Sequence, residues 1–296
     1  LISLALSEDL DTVGDATTNS VIPENLQAKA VFLTKEDCVC AGLPVAERLF
    51  KTIDPELEWK TLVREGEFCP KGTIMAEVRG NARALLTGER TALNFMQRLT
   101  GIATRTHASV AEVAGTNAKI TDTRKTTPGL RVLEKYAVRV GGGTNHRFNL
   151  ADGVLIKDNH IAVSGGIKNA VKNARAVIPH TLKIEVEVET KEQLAEALDA
   201  GADIIMLDNM SNDLMRECVG IVAGRALVEA SGNMGEKSLR EVAETGVDII
   251  SIGQGRRHQF KIPNFVTETD LCPEKRCSYG NHKRTRQAYR QPHRGR

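Results

Sequence analysis

The sequence predicts an α/β protein in which a mixed N-terminal region precedes a strand–helix array of the (β/α) barrel kind. Three observations predict it. Between residues 119 and 253 short apolar runs alternate with helical stretches, and the later runs recur roughly every 20–23 residues, the scale of a short βα unit. Gly201, Gly224 and Gly246 fall just past three of those helices, where a left-handed C-cap needs no Cβ. Runs such as Val154-Leu-Ile156 and Asp203-Ile-Ile-Met-Leu207 have no polar face, which suits parallel strands covered on both sides.

In chain order, Leu1, Leu4 and Ala5 open a helical pattern, so the biological start is expected upstream. Residues 28–34 and 57–63 read as strands and 44–50 as a short helix. Glu65-Gly66 and Pro70-Lys-Gly72 mark turns around Trp59 and Phe68. A longer helix is predicted over 82–99, with Leu86, Leu93, Phe95, Met96 and Leu99 on its apolar surface and Gly101 as its stop. Strands are then expected at 119–122, 153–157, 183–188, 204–208, 227–231 and 248–253. Helices are expected at 191–200, 213–223 and 238–245. The division is an N-terminal domain over 1–100, a barrel over 101–253 and a separate tail over 254–296.

Composition bounds the function classes. The chain has 296 residues, 41% hydrophobic and 26% charged, enough for a sizeable core. Six cysteines, at 38, 40, 69, 218, 272 and 277, form no regular framework, so reduced thiols and a cytoplasmic location are expected. No apolar run is long enough to span a bilayer, and no signal peptide opens the chain, so no membrane partner is expected. The net charge of +2 hides a division: the tail has eleven Lys/Arg against three Asp/Glu, net +8, which leaves −6 for residues 1–253. With Pro263, Pro273 and Pro292 and no sustained apolar period, the tail is expected to be irregular.

Chemistry-bearing residues gather at the predicted strand ends. The first strand runs into Asp122-Thr-Arg-Lys-Thr-Thr-Pro-Gly-Leu-Arg131, in which Arg124 offers a planar fork and Lys125 a point charge to an anion. His146 and Arg147 follow Gly141-Gly-Gly143, and Lys157 ends the next strand. Glu187 and Asp208 end two more, with Glu185 on the same face as Glu187. Carboxylates within a ring of cations suit ribose hydroxyls or a hydrated Mg²⁺; they also suit structural ion pairs. Ser231-Gly-Asn233 and Ser251-Ile-Gly253 permit close backbone approach to a phosphate at the last two strand ends. In a barrel these ends share one face. An open doubly wound sheet would also gather them, but no glycine-rich dinucleotide fingerprint supports that version.

These residues resemble the quinolinate phosphoribosyltransferase family from about Leu1 to Gly253. The resemblance rests on Gly88-Glu-Arg-Thr-Ala-Leu-Asn94, Leu99-Thr-Gly-Ile-Ala-Thr104, the 122–131 segment, Lys135-Tyr-Ala-Val-Arg-Val-Gly-Gly-Gly143, Asn145-His-Arg147, Leu155-Ile-Lys-Asp-Asn-His160 and Leu207-Asp-Asn209. It implies an N-terminal α/β sandwich and an incomplete (β/α) barrel of the type II phosphoribosyltransferase kind, as a homodimer or higher homo-oligomer with shared active sites. Arg90 would then reach into the neighbouring subunit's site. Arg124, Lys125, His146, Arg147 and Lys157 would surround quinolinate and pyrophosphate. Glu187 and Asp208 would hold ribose hydroxyls and the waters of Mg²⁺, while Ser231, Gly232, Asn233, Ser251 and Gly253 would take the 5′-phosphate. Within that set, Lys125, Lys157, Glu187 and Asp208 are the implied catalytic residues. The implied reaction joins quinolinate to phosphoribosyl pyrophosphate with loss of CO₂.

The chain departs from the family after Gly253. The family continues with Ala-Leu-Thr-His-Ser and ends near Asp-Ile-Ser-Leu-Lys, whereas this chain reads Gln254-Gly-Arg-Arg-His-Gln-Phe-Lys261. Codons for those residues, read one base later, can encode Lys-X-Val-Asp-Ile-Ser-Leu-Lys, so the tail is expected to be out of frame. Other readings stay open on the residues alone. They are a related phosphoribosyltransferase acting on another heteroaromatic acid, and a Schiff-base aldolase using Lys157. Nucleic-acid binding through the basic tail with Tyr279 and Tyr289, or zinc at Cys272, Cys277 and His282, has weaker support, and no nucleic-acid partner is expected.

Overall fold

Local signals in the sequence account for most elements of the N-terminal half. The computed structural model describes residues 1–253 in full and the backbone of 265–270. Helices α1 (Ile2–Leu10) and α2 (Ala16–Val21) come first, and Asp15 caps α2 by accepting the Thr18 N–H at 2.9 Å. Strands β1 (Gln27–Thr34) and β2 (Cys38–Val39), helix α3 (Leu43–Ile53), and strands β3 (Glu58–Thr61), β4 (Phe68–Cys69) and β5 (Ile74–Asn81) follow. Strand β5 has no counterpart in the sequence expectation, because Met, Ala, Glu, Arg and Gly make a weak strand signal. Its place between β1 and β3, both antiparallel to it, overrides that propensity.

Helix α4 (Ala82–Glu112) corrects the expected stop at Gly101. It runs for 31 residues, and Gly101 lies buried in its interior. A mid-helix glycine costs about 1 kcal/mol relative to alanine, and docking offsets it here. Thr100 accepts from the Ala41 N–H at 3.2 Å and donates to the Ala41 carbonyl at 3.0 Å, while Thr104 Oγ1 accepts from Val39 N–H at 2.9 Å. One helix therefore passes through the expected boundary at residue 100. Val39, Ala41, Leu99, Ile102, Ala103, Ala137 and Val138 form a small core joining the two halves.

Beyond α4 all six strands and α8–α10 fall where the pattern predicts them, and α5–α7 are additions to it: β6 (Lys119–Thr121), α5 (Arg131–Val140), β7 (Val154–Ile156), α6 (Asp158–Ser164), α7 (Ile167–Val177), β8 (Ile184–Val188), α8 (Lys191–Asp199), β9 (Ile204–Asp208), α9 (Asn212–Val222), β10 (Leu227–Ser231), a 3₁₀ turn at Met234–Glu236, α10 (Leu239–Ala243) and β11 (Ile249–Ser251). The sheet order is β6-β11-β10-β9-β8-β7, parallel throughout. Among the described residues no ladder joins β7 back to β6. A single parallel bridge from Thr144 to Thr121 covers the edge of β6 instead, so the barrel is incomplete. Its core is Ile120, Ile184, Val186, Ile205, Leu207, Val228 and Ile250 under α8–α10. A second core around Phe32, Phe50, Leu57, Met75 and Met96 fills the N-terminal domain.

The irregular tail needs one correction. Residues 265–270 form β12 (Phe265–Asp270), antiparallel to β1 over six residue pairs from Lys29↔Asp270 to Thr34↔Phe265. The outer edge of β1 offers unpaired backbone groups, and Phe-Val-Thr is a sequence suited to filling it. The remainder of the tail, including Cys272, Cys277, His282, Tyr279 and Tyr289, lies outside the described residues.

Candidate functional site

Because every strand of the second sheet points the same way, the C-terminal ends lie along one edge. Ser231 is in register with Asp208, and Ser251 with Thr121. Lys125, exposed after β6, rests its Cδ 3.2 Å from where a Gly253 Cβ would stand, so the loops after β6 and β11 meet. Lys157 Nζ is ion-paired with Glu187 across β7 and β8. Asp208 accepts from the Asn209 side-chain amide at 2.7 Å.

Two guanidiniums lie close together at this edge. Burial and the neighbouring Arg124 charge push the Arg147 pKa below its ordinary value. Arg124 Nε is buried with no hydrogen-bond partner among the described residues. Two crowded cations with spare donors are a site for an anion. Arg147 is aimed by its own hydrogen bond to the Gly153 carbonyl at 3.0 Å. The loop bearing Arg124 is tied down by Arg131, which donates to Thr126 Oγ1 at 3.0 Å and to the Phe148 carbonyl at 3.2 Å.

Sequence reasoning missed the network that holds these groups. Asp122, 4% exposed, accepts from Lys135 Nζ, from Asn145 Nδ2 at 2.6 Å and from the His146 N–H at 2.9 Å. Lys135, also buried, donates in addition to the His146 carbonyl at 3.0 Å. A buried charge pair is tolerated when its hydrogen-bonding capacity is filled, as here. Its product is a fixed 145–147 segment. The signal was present in the sequence, since Asp122 closes an apolar strand and Lys135 sits on the helix face with Ala137 and Val138.

His146 lies below Arg147 with both ring nitrogens engaged. Nδ1 accepts from the Arg147 backbone N–H at 2.8 Å. Nε2 stands 3.1 Å from Glu185 Oε2 and 3.6 Å from Glu229 Oε2. Burial works against the imidazolium, while the two carboxylates draw the pKa upward overall. An imidazolium needs a proton on Nδ1, however, and the Arg147 N–H already points there. The geometry therefore assigns the neutral Nε2–H tautomer. The His146, Glu185 and Glu229 donor atoms lie within 4.8 Å of one another, a spacing that metal ligands also adopt, but a protonated Nε2 has no lone pair for an ion. Glu229 was overlooked in the sequence, although a carboxylate inside Leu227-Val-Glu-Ala-Ser231 interrupts a buried strand.

At the far strand ends the backbone comes close. Gly232 has φ +87°, and a Cβ there would stand 2.2 Å from Asn209 Oδ1, so only glycine fits. Asn209 and Asn233 are themselves left-handed, at φ 55° and 49°. Met234 is buried and Lys237 donates to the Met210 carbonyl at 2.8 Å, which anchors this loop on both sides. The Ser251 hydroxyl is buried and faces the Ala230 carbonyl at 3.4 Å, inside the barrel rather than at its rim. Arg90 is exposed on α4, and no hydrogen bond among the described residues joins it to the strand-end groups. Thus the barrel candidates share one edge of the sheet, and Arg90 stands apart.

A family model described as quinolinate phosphoribosyl transferase, N-terminal domain, matches residues 15–100. Its C-terminal-domain counterpart matches 102–260, past Gly253 into the tail. The chain is similar to a probable nicotinate-nucleotide pyrophosphorylase (carboxylating) of Bacillus subtilis strain 168, at 46% identity over 276 residues covering 93% of this chain and 94% of the relative. Its fold is similar to a crystal structure of NadC from Streptococcus pyogenes, with TM-score 0.85, 40% identity and coverage of 92% and 96%. It is likewise similar to a nicotinate-nucleotide pyrophosphorylase from Francisella tularensis, with TM-score 0.86, 38% identity and coverage of 91% and 94%.

Proposed function

We infer one reaction for this chain, which belongs to the quinolinate phosphoribosyltransferase family. It transfers phosphoribosyl from phosphoribosyl pyrophosphate to quinolinate with decarboxylation, giving nicotinate mononucleotide, pyrophosphate and CO₂ for NAD biosynthesis. The observation that carries this reading is the single strand-end edge that bears Arg124, Lys125, Arg147 and Lys157 together with Glu187 and Asp208, with Lys157 paired to Glu187 and Arg147 crowded by Arg124.

The reaction needs no protein nucleophile. The pyridine nitrogen displaces pyrophosphate at C1′, so the chain must hold two anionic reactants in line against their repulsion. In our reading Arg124 and Arg147 take the quinolinate carboxylates, while Lys125 and Lys157 face the pyrophosphate as its charge grows. Glu187 and Asp208 hold the ribose hydroxyls as C1′ becomes cationic. Ser231, Gly232, Asn233 and Gly253 cradle the 5′-phosphate through backbone groups, with Ser251 supporting from below. Once alkylated, the ring nitrogen accepts the electron pair released as the C2 carboxylate leaves as CO₂, and a proton then takes its place.

Mg²⁺ fits this donor set. Glu187 and Asp208 are half-buried carboxylates already sharing oxygens with Lys157 and Asn209, which suits an ion held through waters and substrate phosphates rather than a protein cage. Mg²⁺ supplies charge neutralisation of pyrophosphate when bound. A homodimer, with Arg90 of the partner subunit completing each site, explains why Arg90 stands apart on α4. We propose a cytoplasmic location, in keeping with the free thiols of Cys38, Cys40, Cys69 and Cys218. Among the described residues no helix is long and apolar enough to cross a membrane. A Schiff-base role for Lys157 is disfavoured by its ion pair with Glu187, since an ammonium has no lone pair with which to attack a carbonyl.

Incubation with quinolinate, phosphoribosyl pyrophosphate and Mg²⁺ tests the reading. Nicotinate mononucleotide and CO₂ in equal amounts are expected, and no product from this pair of substrates would reject it.

A further inference from the structure

We propose that Glu229 is a positioning residue: it holds the one proton of a buried carboxyl pair with Glu185 beneath neutral His146, and this floor aims Arg147 at the substrate anion. The identity of that anion rests on the function inferred above; the floor itself is built from residues inside the barrel.

Glu185 and Glu229 are 3% and 1% exposed, on strands β8 and β10. Each turns Oε2 toward His146 Nε2 and leaves Oε1 buried without a hydrogen-bond partner among the described residues. The groups facing Glu229 are Glu185 from β8, His146 from the segment after α5 and the Ser251 hydroxyl from β11. Among the cations, Arg147 bears electrostatically on both His146 and Glu185. A single Nε2–H cannot satisfy two ionised carboxylates, and a second buried negative charge without a partner is expensive. Burial first, and Glu185 second, push Glu229 up to about 7. The proton is therefore a structural component near neutrality.

The consequence for His146 is specific. Nδ1 is occupied by the Arg147 N–H and Nε2–H by the carboxyl pair, so the ring has no nitrogen left for quinolinate. Its work is to fix the Arg147 backbone. In this reading His146 remains part of the wall around the substrate and acts on it through Arg147. As pH rises through the Glu229 value, the floor gains a second negative charge under a substrate bearing two carboxylates. Quinolinate binding weakens.

Two measurements on the intact enzyme test this. The first is the KM for quinolinate, separated from kcat, between pH 6 and 8.5 for the unmodified enzyme and Glu229→Gln. The unmodified KM should rise by up to about tenfold per pH unit above the titration, with kcat moving less, and the variant should lose that rise. Glu229→Met, also uncharged and similar in length, serves where glutamine is not accommodated. The second is ¹⁵N NMR of His146 in the ligand-free enzyme, identified by the signal missing from His146→Gln. It should read as neutral with the proton on Nε2 throughout. A pH dependence unchanged by removing the Glu229 carboxyl, or an imidazolium signal for His146 near pH 7, overturns the proposal. If quinolinate were not a substrate at all, the functional reading would fall while the NMR arm still decided the floor.

Discussion

Arg124 and Lys157 stand at strand ends rather than on apolar faces, so their loss should damage turnover more than stability. Each removes a contact to a bound anion, a loss of roughly 2–4 kcal/mol in transition-state stabilisation, or about 30- to 1000-fold in kcat/KM. Near-parental kcat/KM for both Arg124→Ala and Lys157→Ala would remove the site as described. Gly232 tests the backbone side. Alanine there meets Asn209 Oδ1 at 2.2 Å in a left-handed conformation, and something must move. We expect Gly232→Ala to cost about 1–3 kcal/mol and to raise the KM for phosphoribosyl pyrophosphate, with little change for quinolinate. An unchanged thermal midpoint and both KM values unaltered would show that the loop has room to spare. Of these residues, the sequence displayed Arg124, Lys157 and Gly232 openly, because charge and glycine at strand ends stand out. Glu229 was hidden because its meaning depends on Glu185 and His146, which lie far from it along the chain.

At the scale of elements, side chains stitch neighbouring strands and helices at the end of the barrel opposite the site. Asp203, just before β9, accepts from the Ile184 N–H of β8 at 2.8 Å and from Arg175 of α7 at 2.6 Å. Burial opposes its charge, but these donors and nearby Lys183 hold its pKa below the ordinary 3.8. A folded value below the unfolded one means that the contribution is complete above the unfolded value and fades as pH falls through the folded one. Asp203→Asn should therefore destabilise by roughly 1–3 kcal/mol at neutral pH, and the gap to the unmodified protein should close on acidification below 4. Denaturant unfolding at pH 7 and pH 3 checks this, and a gap independent of pH would contradict it. Helix α4 and strand β5 show where local reading stops. Gly101 signals a helix end by propensity, yet Thr100 and Thr104 dock the helix on β2, and the surrounding contacts carry it through. Strand β5 exists because two partners need it.

At the scale of the molecule, the two halves share α4, and the edge of the first sheet is closed by β12. Cutting the chain after Gly253 removes that strand and leaves β1 with an open edge. We expect a lower thermal midpoint and a greater tendency to associate, which an irregular tail would not give. A truncated chain with the parental midpoint would count against a structural role for β12. The proposed shared site has its own test. Arg90→Ala and Lys157→Ala chains, each inactive alone, should recover activity on mixing, up to about one working site per mixed dimer in a symmetric assembly. No recovery after verified subunit exchange would assign Arg90 to its own chain's site or to none.

The sequence by itself determined the architecture of the barrel, the order of its strands along the chain and the charged rim. Periodicity, glycine caps and strand-end residues are local, and parallel strands of one sheet must end on one edge. What only the tertiary structure decided is what those residues touch. That Asp122 meets Lys135 and Asn145, that His146 has both nitrogens occupied, and that Glu229 faces Glu185 are contacts between segments distant in sequence. So are the passage of α4 through the domain boundary and the pairing of β12 with β1. Each depends on burial and partner geometry, and a residue's neighbours in space are set by the fold as a whole, not by its neighbours along the chain.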